Sequence, residues 1–77
     1  MAQLYFDCSN ATDILLDRRG RRVHDLVEAH ELAARLVLGL IARPGREDWR
    51  EWIMHVSDEE GEEIFEFPFA SFLGKPH

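Results

Sequence analysis

The stretch Asp25–Arg43, DLVEAHELAARLVLGLIAR, decides the fold, because it is long and periodic enough to predict a helix. Asp25 occupies an N-cap position, and Glu28 follows three residues later, which is the spacing of a capping box. The pair Pro44-Gly45 comes directly after the stretch and ends the helix. At about 1.5 Å per residue, the predicted helix is roughly 25 Å long.

The apolar arc of this helix is wider than one sheet face requires. An ordinary surface helix shows an apolar stripe a little over about 100° wide. His30 projects into the arc, and the sequence leaves open whether it is a core or an interface residue. The surplus predicts a second apolar neighbour. The side facing a sheet is predicted to carry Leu26, Ala29, Ala33, Val37, Leu40 and Ile41, with Val27, Leu32, Leu36 and Leu38 on the flanks.

Four short alternating segments predict strands, at residues 4–8, 14–16, 51–57 and 62–69. Pro68 marks the last of them as an edge strand. A right-handed crossover through the helix places the first strand between the second and the third. We therefore predict one α+β domain over residues 1–77, a ββαββ fold. Its antiparallel four-stranded sheet has the order 2-1-3-4, one helix packs on one face, and a short apolar tail occupies residues 70–77.

Two turns share one template with inverted charge. Residues 17–23 read DRRGRRV and residues 58–64 read DEEGEEI. In each, an aspartate predicts the start of a turn and a glycine the position with positive φ. The tips meet across the sheet, meet between protomers or do not meet, and the sequence leaves these alternatives open. The basic tip supplies four candidate anion-binding residues: Arg18, Arg19, Arg21 and Arg22.

Composition limits the function classes. The net charge of −6 is concentrated in residues 47–77, which carry nine acids against one arginine and one lysine. Nucleic acid and anionic membranes repel such a surface as a whole. No segment resembles a membrane span or a signal peptide. The single cysteine, Cys8, cannot form an internal disulfide, and this favours the reducing cytoplasm as the location of the protein. Cys8 is predicted to be a small buried residue.

The sequence predicts no catalytic, cofactor-binding or metal-binding residue, and therefore no enzyme. None of its serines lies in a nucleophile elbow, and it has no glycine-rich phosphate loop. The histidines are not spaced i, i+4 on the helix, as a metal pair there requires. They are His24, His30, His55 and His77.

The turns and core positions together resemble a small bacterial family of uncharacterised proteins, known as a domain of unknown function. The resemblance implies the fold and no activity. A weaker similarity, carried by the Asp-x-x-Glu-Ala helix start, is to antitoxin subunits of the HicB type. The resemblance to the small family is carried by Tyr5-Phe6-Asp7, Asp17-x-x-Gly20, Asp25-Leu26 with Glu28-Ala29, Trp52-x-Met54-x-Val56-x-Asp58-x-x-Gly61 and Pro68-Phe69.

From these features we expect a non-catalytic protein–protein interaction module that self-associates as a homodimer or binds another protein. The alternative is a small nucleic-acid or anion-binding regulator, antitoxin-like, that uses the tip Arg18–Arg22. The interface is predicted to include Val27, His30, Leu38, Phe69, Phe72 and Leu73.

Overall fold

The structure is a computed structural model that describes residues 2–43, 45 and 48–73. Short 3-10 helices precede the fourth strand and follow the fifth. The predicted helix stop at Pro44, the histidine His77 and the end of the predicted tail, residues 74–77, lie outside the described residues. Within those residues the elements are β1 (Ala2–Ser9), β2 (Ile14–Leu15), β3 (Arg21–Val23), α1 (Leu26–Ile41), β4 (Ile53–Ser57) and β5 (Glu63–Pro68).

The strands form one antiparallel sheet around β1. Its order is β2-β1-β4-β5, and β3 also pairs with β1. The predicted α+β class is confirmed, and the sheet differs in one detail, the fifth strand. Residues 21–23, which belong to the turn template 17–23 in the sequence, form this strand. They pair with Ala2–Leu4 because β1 begins two residues earlier than predicted, and Val23 is thereby buried.

Asp17 lies between β2 and β3, at the point where neither strand pairs with β1. Its Oδ2 accepts a hydrogen bond from Phe6 N at 3.1 Å, and its Oδ1 accepts from Arg19 N at 3.1 Å and Gly20 N at 3.0 Å. Burial raises the pKa of Asp17. The hydrogen bonds from backbone N–H groups and the nearby Arg21 together lower the pKa by more than burial raises it, so the net shift is downward. Asp17 thus satisfies a donor of β1 that no strand reaches.

Helix α1 begins as its capping residues predict. Asp25 Oδ1 accepts from Glu28 N at 2.8 Å, and Glu28 Oε1 accepts from His24 N at 2.7 Å. The two carboxylates thereby satisfy backbone donors at the helix start. No helix in the described part of the chain is long and apolar enough to cross a membrane.

The core lies between α1 and one face of the sheet. Ala29, Ala33 and Val37 are fully buried there. Of the predicted flank, Leu32 and Leu36 pack partly against the core, and Val27 and Leu38 are exposed. Leu26 is exposed, contrary to expectation, because it lies in the first turn beside a shallow pocket at the end of the sheet. The buried sheet and turn residues are Leu4, Phe6, Cys8, Val23, Trp52, Met54, Val56 and Phe69.

Candidate functional site

The predicted interface residues do not form one surface. Val27 and Leu38 are exposed and lie eleven residues apart on α1, which points them in the same direction about 16 Å apart. His30 is also exposed, and its ring stacks on Phe65 with 4.1 Å between the centroids. Phe72 and Leu73 are half-buried.

The prediction that Phe69 belongs to the interface is wrong, because its side chain is buried. The chain enters a 3-10 helix at this position, and Phe69 N donates to Trp52 O at 3.0 Å. Its ring is fully buried and stacks on Trp49 with 5.5 Å between the centroids. Phe69 therefore stabilises the core and offers no area to a partner. The ring of Phe72 packs on Phe67, with 4.8 Å between the ring centroids. The His30 ring lies on Phe67 as well, at a centroid distance of 6.2 Å.

A groove of about 390 Å³ opens between α1 and the β2 side of the sheet. Its floor is apolar and comes from the sheet core. Its walls are Leu15 and Leu16 on one side and residues of α1 on the other. Three arginines and one aspartate complete the lining. The floor is Phe6, Cys8 and Met54, the α1 wall is Leu36, Gly39 and Leu40, and the charged residues are Asp17, Arg21, Arg35 and Arg43.

The strand beside the groove presents an exposed aliphatic edge, which we define as Ile14, Leu15 and Leu16. Their exposed fractions are 60%, 44% and 56%. Leu15 pairs with Cys8 in the sheet register, so its side chain shares the face that α1 covers elsewhere. The helix does not cover this edge, and Gly39, which lines the groove on the α1 side, has open space where a Cβ would lie. The sequence predicted surplus apolar area on α1, but a large part of the exposed apolar area in the structure belongs to β2 and the residue after it.

The four arginines of the basic tip are exposed but divide between two faces. Arg21 and Arg22 are successive residues of β3, so their side chains project to opposite faces. Arg21 lines the groove, whereas Arg22 lines a second pocket together with Glu59. The two charge-inverted tips therefore approach each other within one chain. Arg18 and Arg19 lie in the turn itself and are exposed.

The face of the sheet opposite α1 carries a polar cluster centred on His55. Its Nδ1 lies 2.7 Å from Glu63 Oε1 and 3.4 Å from Glu66 Oε2, and its Nε2 lies 3.0 Å from Ser9 Oγ. His55 and Ser9 are half-buried, and the glutamates are exposed. Helix α1 does not cover this face, and at this cluster the face is polar. It therefore contributes little to the apolar association surface.

A β-bulge makes this cluster. Val56 pairs with Phe65 and Ser57 with Glu63, so the register passes over Ile64. The shift places Glu66 opposite His55 and leaves Ile64 exposed. Met54 and Val56 can share a face with Phe65 and Phe67 either through a bulge or through a turn of even length, so the alternation of these residues alone did not predict the bulge. The sequence therefore did not predict that Glu63 and Glu66 share a face with His55.

Comparison with known proteins gives one match. The family model described as Domain of unknown function (DUF6894) matches residues 3–70 of the chain. No curated protein and no solved structure matches this chain. The predicted resemblance to a small family of unknown function is confirmed.

Proposed function

Because this chain belongs to the DUF6894 family, a domain of unknown function, we propose its role from its surface. It is a non-catalytic protein-interaction module that self-associates through the groove and the aliphatic edge. A second copy of the chain is its partner, and the assembly is a homodimer.

The observation that carries this proposal is the exposed aliphatic edge beside an apolar groove. Three successive large aliphatic side chains, two on the short strand β2 and one directly after it, are costly to leave in water, and edge strands are natural sites of association. Leu15 and Leu16 line the groove together with Leu36 and Leu40, whereas Ile14 precedes Leu15 in β2 and projects to the other face of the sheet. A surface of this kind is typical of a protein contact, and two-fold symmetry lets one such surface cover itself.

Gly39 supports the same surface. A glycine inside a helix costs roughly 0.5–1 kcal/mol of stability relative to alanine. A Cβ placed on Gly39 would meet nothing within 4 Å, so packing inside this chain does not require the glycine. A close approach by a second chain along the groove would require it. Gly39→Ala is therefore expected to stabilise the monomer and to weaken the dimer.

Arg35 and Arg43, which line the groove, orient the contact between the two copies more than they stabilise it. Arg35 and Arg43 are exposed, and an exposed ion pair contributes about 0–1 kcal/mol. Acidic residues of the second copy suit them, since residues 47–77 carry nine acids. The affinity comes from the apolar residues, so added salt is expected to weaken the dimer only slightly.

Leu16→Glu tests the proposal. Burying a whole leucine side chain contributes about 1.5–3 kcal/mol, so covering the exposed part of Leu16 is worth about 1 kcal/mol per copy and about 2 kcal/mol per dimer. Since about 1.4 kcal/mol is a factor of ten, the dissociation constant rises at least about 30-fold. Val27→Glu is the matched control, because Val27 is at least as exposed as Leu16 but does not line the groove. A wild-type chain that stays monomeric at high micromolar concentration in light scattering contradicts the proposal.

The non-catalytic part of the proposal rests on the separation of the groove from the polar cluster. Ser9, His55 and Glu63 follow the order hydroxyl, imidazole, carboxylate that serine hydrolases use. Cys8 and Met54 line the groove, whereas their chain neighbours Ser9 and His55 project to the opposite face of the sheet. A cytoplasmic location belongs to the same proposal. It is supported by the lone Cys8, whose pKa burial and the neighbouring Asp7 raise to about 11.

The second candidate function is anion or nucleic-acid binding through Arg18, Arg19, Arg21 and Arg22. The observation that favours it is the exposure of all four side chains, with Arg21 beside the groove arginines. Binding of RNA or DNA that falls steeply with salt and is lost when the four are replaced by glutamine would support it. Absence of binding at low salt would exclude it.

A further inference from the structure

The polar cluster on the open sheet face carries an inference independent of self-association. We propose that His55, Glu63 and Glu66 bind a divalent transition-metal ion, with Zn²⁺ as the natural occupant. One nitrogen and two carboxylate oxygens, each from a different side chain, lie within 4.8 Å of one another. The site is built by the bulge between β4 and β5, which brings both glutamates to one histidine.

The distances fit a tetrahedral ion after a small movement. With ligand bonds of about 2.0–2.2 Å, neighbouring donors around zinc lie about 3.3–3.6 Å apart. Nδ1 of His55 is already 3.4 Å from Glu66 Oε2. Its 2.7 Å distance to Glu63 Oε1 must widen by at least about 0.6 Å. Glu63 is exposed at the end of its strand, so rotation of its side chain provides this movement.

Ser9 supplies the support that a metal-bound histidine needs. A histidine that ligates through Nδ1 must carry its proton on Nε2, and that N–H requires an acceptor. Ser9 Oγ lies 3.0 Å from Nε2. In the ion-free form His55 carries its proton on Nδ1 and donates a hydrogen bond from it to Glu63, and the Ser9 hydroxyl donates a hydrogen bond to Nε2. On metal binding the proton moves to Nε2, and the same hydroxyl becomes the acceptor, because a hydroxyl does both.

The donor set selects the metal class. Imidazole favours Zn²⁺, Ni²⁺ and Cu²⁺ over Mg²⁺ and Ca²⁺, which prefer oxygen alone. Three protein ligands leave one tetrahedral position for water or for a group from another molecule. Cys8 does not compete, since its thiol is buried and its pKa is raised to about 11.

Calorimetric titration of the full chain with ZnCl₂, and separately with MgCl₂, tests the site. We expect one Zn²⁺ per chain and much weaker Mg²⁺ binding. His55→Gln and Glu63→Gln should each lower the Zn²⁺ affinity by more than about tenfold, the smallest loss typical of a supporting residue, and Ser9→Ala by about 10–100-fold. Thermal unfolding with and without Zn²⁺ gives a second readout, a stabilisation that the wild type shows and that His55→Gln and Glu63→Gln lose.

Glu59→Gln is the matched control, since Glu59 is an exposed acid of the same hairpin outside the cluster. It should leave Zn²⁺ binding unchanged. His24→Gln controls for a histidine elsewhere on the surface. The proposal is overturned if His55→Gln binds Zn²⁺ as the wild type does, or if Mg²⁺ binds as tightly as Zn²⁺. It is equally overturned if Glu59→Gln loses as much affinity as Glu63→Gln.

Discussion

Alanine at Gly20 and at Gly61 should have unequal effects, although the two glycines occupy the same template position. Both have positive φ, +74° at Gly20 and +84° at Gly61. Their surroundings differ. A Cβ on Gly20 would lie 2.9 Å from Tyr5 Cε2 and 3.0 Å from both Gln3 Nε2 and Leu4 O. A Cβ on Gly61 would meet nothing within 4 Å.

The magnitudes follow from these two terms. The left-handed conformation costs about 1–2 kcal/mol for a residue with a Cβ, and this applies to both variants. Overpacking adds about 1–3 kcal/mol and applies only at Gly20. Leu4 O belongs to the backbone of β1, which is paired on both edges and cannot retreat freely. Gly61→Ala therefore loses about 1–2 kcal/mol and Gly20→Ala about 2–5 kcal/mol.

Urea unfolding of the two variants beside the wild type measures the difference, and thermal unfolding provides a second scale. Each kcal/mol lowers the Tm of a domain of this size by about 4–8 °C. Gly61→Ala is the control for the φ term alone, so the excess loss in Gly20→Ala reports the close approach to β1. Equal losses in the two variants would refute the packing of the first turn against β1.

Two further predictions concern stability. Asp17→Asn replaces a carboxylate that accepts three backbone N–H groups with an amide that turns one NH₂ toward them, so it should cost about 1–3 kcal/mol at neutral pH. Because the folded pKa of Asp17 is lowered from 3.8, its contribution is complete above that value and is lost as the pH falls below it. The stability gap between wild type and Asp17→Asn should narrow there in acid-series unfolding, and a constant gap would contradict this role. Phe69→Ala should lose about 3–5 kcal/mol, whereas Phe72→Ala, at a half-buried ring, should lose clearly less. Similar losses would contradict the placement of Phe69 in the core.

Much of the fold was predictable, because it follows from local rules. The helix bounds, its capping by Asp25 and Glu28, and the positive-φ glycines of both turns are determined by a few neighbouring residues. The alternation of Met54 and Val56 likewise predicted their burial. These features required no knowledge of long-range contacts.

The surfaces were harder to predict, because they depend on which elements fail to cover one another. Leu32 and Leu36 were counted as surplus, yet they pack partly against the core. The exposed apolar area instead includes Ile14–Leu16, since β2 lies beyond the reach of α1. The pairing of β3 with β1 and the bulge at Ile64 also arise from long-range register. The groove and the His55 cluster both follow from such register.

Sedimentation equilibrium of the wild type, Leu16→Glu and Val27→Glu over the micromolar range tests the central claim most directly. We expect a concentration-dependent dimer for the wild type and Val27→Glu, and a monomer for Leu16→Glu. Gly39→Ala in the same series should unfold at a higher urea concentration and yet dimerise more weakly. A wild type that remains monomeric, or a Leu16→Glu variant that dimerises as the wild type does, would contradict self-association through the groove.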